Sequence, residues 1–218
     1  MKQTFQTHLL MTKLKNNAII IYEDKEKINI FAVARQTFAL HYRKKDMITY
    51  DKTTLSNGLT VIANRDKASR MAAVNLLYKV GARNENPSRT GLAHLFEHLM
   101  FRGTHQVPDF DTPIQMACGE NNAFTNNDYT DFYITLPIAN VETALWLESD
   151  RMLSLDFNER SLEVQRHVVV EEFKQRNLNQ PYGDVGHLVR GLVYQKHPYR
   201  WPTIGLEPSH IENATLDE

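Results

Sequence analysis

One cysteine, Cys118, is present among 218 residues, which excludes an internal disulfide framework and a cysteine-rich metal site. A lone cysteine suits a reducing compartment. No apolar run reaches the roughly 18 residues that a membrane span needs. The stretch Ala18-Ile19-Ile20-Ile21 is short and is followed at once by Glu23-Asp24, so no signal-like core is present either. A cytoplasmic protein is the default expectation, with export left open. A charge excess is also missing: the formal net charge is −1. General nucleic-acid or membrane-surface binders are usually strongly basic, so neither is expected as a partner. The apolar fraction of 42% is ordinary and allows a sizeable core.

Residues 1–46 mix Lys, Gln and Asn with short apolar patches and show no sustained period. They are expected to be an N-terminal extension, poorly ordered or not native, ahead of a domain over 47–218. Asn57-Gly58 between two β-rich runs predicts a hairpin. The apolar run 71–80 predicts a buried strand. Ser88 or Thr90 is placed to cap a helix over 91–101, apolar almost all round and so expected to be buried. A further helix is expected to start at Asp111 or Thr112, ahead of Pro113, and to run to Gly119. Alternation over 122–125 and 130–136 predicts a second strand pair, and helices are expected over 140–154, 159–178 and 184–195. Strands in hairpins with segregated helices point to α+β: an antiparallel sheet with helices packed on one side.

His94 and His98 are four residues apart, so a helix sets both on one face. Neutral imidazole is a good zinc ligand. Glu97 sits beside the pair, one position off, where it can touch a water without ligating. His-x-x-Glu-His is the inverzincin pattern. Two histidines one turn apart could also be satisfied core residues. Burying two imidazoles and a carboxylate in an apolar helix is costly without a compensating partner, which favours a dication. A catalytic zinc site needs a third protein ligand. The pair Glu171-Glu172 follows a Val triplet on a partly buried helix, and about 100° separates the two, so one of them should face the metal.

Four ordered stretches make the chain resemble the N-terminal domain of the pitrilysin/insulinase-like zinc peptidases, a family that includes the mitochondrial processing peptidases. They are His94-Leu95-Phe96-Glu97-His98 with Leu99 to Thr104, Gly119 to Thr125, Gln165 to Glu172, and His197-Pro198-Tyr199 with Pro202 to Gly205. The resemblance covers about 48–218. It implies one zinc ion per chain held by His94, His98 and Glu172, 74 residues after His98, with Glu171 as the fallback ligand. It implies Glu97 as general base and acid in a metalloendopeptidase that hydrolyses extended peptides or unfolded protein by attack of zinc-activated water. It further implies that Asn122, Ala123, Phe124 and Thr125 form a substrate-binding edge strand, joined by backbone pairing. Gln165 is a departure: active members often carry Glu at that position, seven residues before the ligand. The family pairs two homologous domains, so a second such domain or chain is an expected partner, the chain being read as truncated at its C-terminus. The alternative reading is a non-catalytic or weakly active partner subunit of a two-chain peptidase.

Overall fold

The structure is a computed structural model that describes residues 18–24, 27–31 and 48–217. The remainder of the expected N-terminal extension lies outside the described residues. Of residues 1–46, 18–24 and 27–31 form strands β1 (Ala18–Asp24) and β2 (Lys27–Phe31). The chain divides into two compact units.

The first unit holds β1, β2, β3 (Tyr50–Thr54), β4 (Thr60–Asn64), β5 (Met71–Tyr78) and most of β7 (Thr130–Pro137). The Asn57-Gly58 signal is realised as a hairpin, with Thr54 opposite Thr60 and Gly58 at φ +88. The strand order is β3-β4-β1-β2-β5-β7-β6, with β6 (Glu120–Thr125) last. Pairing is mixed in detail: β1 runs antiparallel to β4 and parallel to β5. Burial along β7 explains its place inside the sheet, because Phe132, Ile134 and Leu136 are almost wholly buried. Each such side chain contributes about 1.5–3 kcal/mol of hydrophobic burial. Helix α2 (Asp111–Met116) adds Ile114 to this core. It is shorter than the expected run to Gly119, since Cys118 turns the chain at φ 55. Helix α3 (Val141–Ser154) follows.

The second unit, Lys79–Phe110, Ala123–Asp131 and Asp150–Glu218, is built on helices. Helix α1 (Leu92–Met100) packs on α4 (Glu159–Phe173) and α6 (Pro208–Glu212). Their shared core includes Leu95, Leu99, Leu162, Val169 and Ile211. Asn158 breaks the chain before α4 because it is the cap: its side chain accepts from Ser161 N at 2.9 Å. The expected helix over 159–178 is α-helical only to Phe173 and continues as a π-turn, Lys174–Leu178. Asn179 N accordingly reaches back to Lys174 O at 2.8 Å. Helix α5 (Val185–Val193) turns His187 and Arg190 inward and leaves Leu188 and Leu192 exposed. Among the described residues no helix is long and apolar enough to cross a membrane.

Candidate metal centre

Helix α1 is not buried all round. His94, Leu95, Leu99 and Met100 are buried, whereas Phe96 is 48% exposed and packs edge-on against Phe157. The buried face packs on α4 and α6, and Glu97 and His98 lie half-buried at its margin. The cap also differs from expectation. Gly91 is the N-cap, with no side-chain bond. Ser88 turns to Asn86 instead, and Thr90 Oγ1 meets His210 Nδ1 at 2.9 Å. Glu85 takes the capping role: Oε2 accepts from Gly91 N at 2.9 Å and Oε1 from Ala93 N at 2.8 Å.

His94, His98 and Glu172 converge, with one ligand atom from each lying within 4.8 Å of the others. Glu172 Oε2 is 3.7 Å from His94 Nε2 and 3.4 Å from His98 Nε2. Donors at about 2.0–2.1 Å from a tetrahedral zinc ion stand about 3.3–3.4 Å apart, close to the two separations of Glu172 from the imidazoles. The protonation states fit as well. Burial drives the His94 pKa down to about 4, against the pull of Glu172, so this imidazole is neutral. The hydrogen bond with His98 holds Glu172 below the usual carboxylate range, although burial opposes it. A neutral imidazole and an ionised carboxylate are the forms that ligate metal.

Glu97 is shifted the other way. Burial raises its pKa, and the hydrogen bond from Thr125 opposes the rise only in part. Thr125 Oγ1 donates to Glu97 Oε2 at 2.5 Å. Thr125 also meets the Thr130 hydroxyl at 3.2 Å, and Thr130 donates to Val80 O at 3.0 Å. Two neighbouring carboxyls whose environments push their pKa values apart suit different roles: one holds charge and one moves a proton.

Glu171 is not part of the cluster; it is exposed and paired with Lys174 at 2.6 Å. The two glutamates diverge as the helical step of about 100° requires. Arg176, one turn after Glu172, binds its other oxygen, Oε1, at 2.8 Å. The i,i+4 spacing could have revealed this pair. Gln165 is buried at 8% exposure, two turns before Glu172. On β6, Asn122 and Phe124 are exposed while Ala123 and Thr125 are half-buried on the other side. Glu85, by contrast, carries no capping signature in the sequence, because it sits six residues before the cap it replaces.

Residues 60–204 match the family model for Insulinase (Peptidase family M16). The zinc protease PqqE of Helicobacter pylori is 35% identical over 172 residues, 78% of this chain and 38% of that protein. A protein named as an uncharacterized zinc protease in Mycobacterium leprae is 33% identical over 156 residues, 71% of this chain and 35% of that protein. The crystal structure of a protease from Helicobacter pylori aligns with a TM-score of 0.73 at 34% identity, covering 78% of this chain and 41% of that one. The periplasmic protease PqqL from Escherichia coli shares the fold, with a TM-score of 0.67 at 21% identity over 79% of this chain and 20% of that one. The chain spans well under half the length of the curated relatives it matches. With more than half of its residues inside the family model, this chain belongs to the insulinase-like peptidase family M16.

Proposed function

We propose that the chain is the metal-binding half of a zinc metalloendopeptidase, with one zinc ion held by His94, His98 and Glu172. The observation that carries this reading is the convergence of three ligand atoms on one point beside a carboxyl whose pKa is raised. Bound zinc would polarise a carbonyl and lower the pKa of water toward about 7. Glu97 takes the proton of the attacking water and returns it to the leaving amine nitrogen. Its raised pKa suits both halves of that cycle. Thr125 keeps one Glu97 oxygen fixed, leaving the other for the moving proton. The terminal position of β6 supports an extended peptide added alongside it, with Asn122, Ala123, Phe124 and Thr125 flanking the bond to be cut. The length of the relatives supports a second homologous half, in the same chain or another, that completes the site.

A second reading, a non-catalytic or weakly active partner subunit, is favoured by Gln165: an amide can hydrogen-bond a ligand but cannot tune its proton affinity as a carboxylate can. Zinc per chain by elemental analysis, and cleavage of a long unstructured peptide by the chain alone and with a second half added, test both. One zinc and Glu97-dependent cleavage support the first reading. One zinc without cleavage in either case supports the second, and a folded chain without zinc overturns the first and favours a non-catalytic partner subunit.

A further inference from the structure

The start of α1 is built unusually. Gly91 has φ +91, and an added Cβ there would lie 2.7 Å from Ile211 Cδ1 and 2.9 Å from Ile204 O. No capping side chain can stand at that position, yet the first-turn N–H groups of a helix need acceptors. Glu85 provides them from outside the helix, one carboxylate oxygen to Gly91 N and the other to Ala93 N. The turn that carries Glu85 is itself anchored. Ala82 N and Arg83 N donate to Asn126 O and Asn127 O at 3.1 and 2.9 Å. The buried Trp201 donates through Nε1 to Ala82 O at 2.7 Å.

Ala93 immediately precedes His94. Successive helical residues are about 100° apart, so a small error in where α1 starts, or in its rotation, carries His94 and His98 away from Glu172. We infer that Glu85 is a positioning residue for the metal centre: its carboxylate clamps two N–H groups of the first turn of α1 and so fixes the direction from which His94 and His98 meet Glu172. Glu85 touches no ligand atom and acts only through the helix. The inference rests on the zinc reading above.

The test separates metal affinity from stability. Glu85→Gln keeps one acceptor oxygen and sets an amide NH₂ against one backbone N–H; Glu85→Ala removes both acceptors. Zinc affinity is measured by chelator competition on folded protein, beside thermal unfolding and amide hydrogen exchange. The expected result is a zinc dissociation constant raised about tenfold to hundredfold in Glu85→Gln, the range typical for lost supporting contacts. The Gly91, Leu92 and Ala93 amides should exchange faster in the same variant. If Glu85→Ala does not fold, Glu85→Gln decides alone. A parent that binds zinc, with Glu85→Gln within about twofold of it, would make Glu85 a stability cap only and overturn the inference while sparing the zinc site. A folded parent that binds no zinc overturns the zinc reading and this inference with it.

Discussion

Thr125 Oγ1 donates to Glu97 Oε2 at 2.5 Å, so the hydroxyl of a strand residue is spent on the carboxyl proposed to move the proton. The family resemblance also implies Thr125 in the substrate-binding strand. Thr125→Val keeps the shape and removes the bond. A hydrogen bond to a charged group contributes about 1.5–3 kcal/mol, so kcat in the two-half enzyme should fall about tenfold to hundredfold. KM and zinc content should stay unchanged. A raised KM at constant kcat would instead limit Thr125 to substrate binding.

Glu171 and Glu172 are adjacent yet face apart, and their substitutions should separate cleanly. Glu172→Gln should lose zinc on dialysis, whereas Glu171→Gln should keep about one ion per chain, since only Glu172 reaches both imidazoles. The exposed Glu171 pairs with half-buried Lys174. Its loss should change stability by less than about 1 kcal/mol. Elemental analysis and urea unfolding of both variants read these outcomes. Zinc retained by Glu172→Gln and lost by Glu171→Gln would reverse the ligand assignment.

Gly91 is needed for its backbone. At φ +91 a side chain is strained before any contact is counted, and Ile211 and Ile204 leave no room for a Cβ. Gly91→Ala should lower stability by at least about 1–2 kcal/mol from the left-handed backbone alone. Chemical denaturation measures it. Parental stability in the variant would show that the chain at this position accepts another conformation.

What could be read from sequence was local. The i,i+4 spacing of His94 and His98 needs only helical geometry, and Asn57-Gly58 needs only turn chemistry. Alternation placed β6 and β7. The choice of Glu172 over Glu171 came from family resemblance, since a partner 74 residues from His98 leaves no periodic trace. Three features were hidden for physical reasons. Phe96 looked like core because hydrophobicity does not say which face finds a partner. The change from α-helix to π-turn at Lys174 has no Pro or Gly to announce it. Glu85 caps across a loop, and capping rules consult only the residues at the helix start.

Glu85 also sets a pH dependence with a definite sign. Burial pushes its pKa from 4.5 up to about 7, against the hydrogen bonds from Ala93 and Gly91 that favour the ionised form. Between those two values the folded chain holds more protons at this site than the unfolded chain. Stability therefore falls as pH rises: the contribution of Glu85 is full below 4.5 and is lost as pH passes through about 7. Glu85→Gln cannot titrate and serves as the reference. In metal-free protein, the urea midpoint of the parent minus that of the variant should decline from pH 4.5 to 7. A flat difference would mean that burial and the helix-end bonds cancel. A difference that grows with pH would mean that the N–H bonds outweigh burial, so that folding favours the ionised form of Glu85.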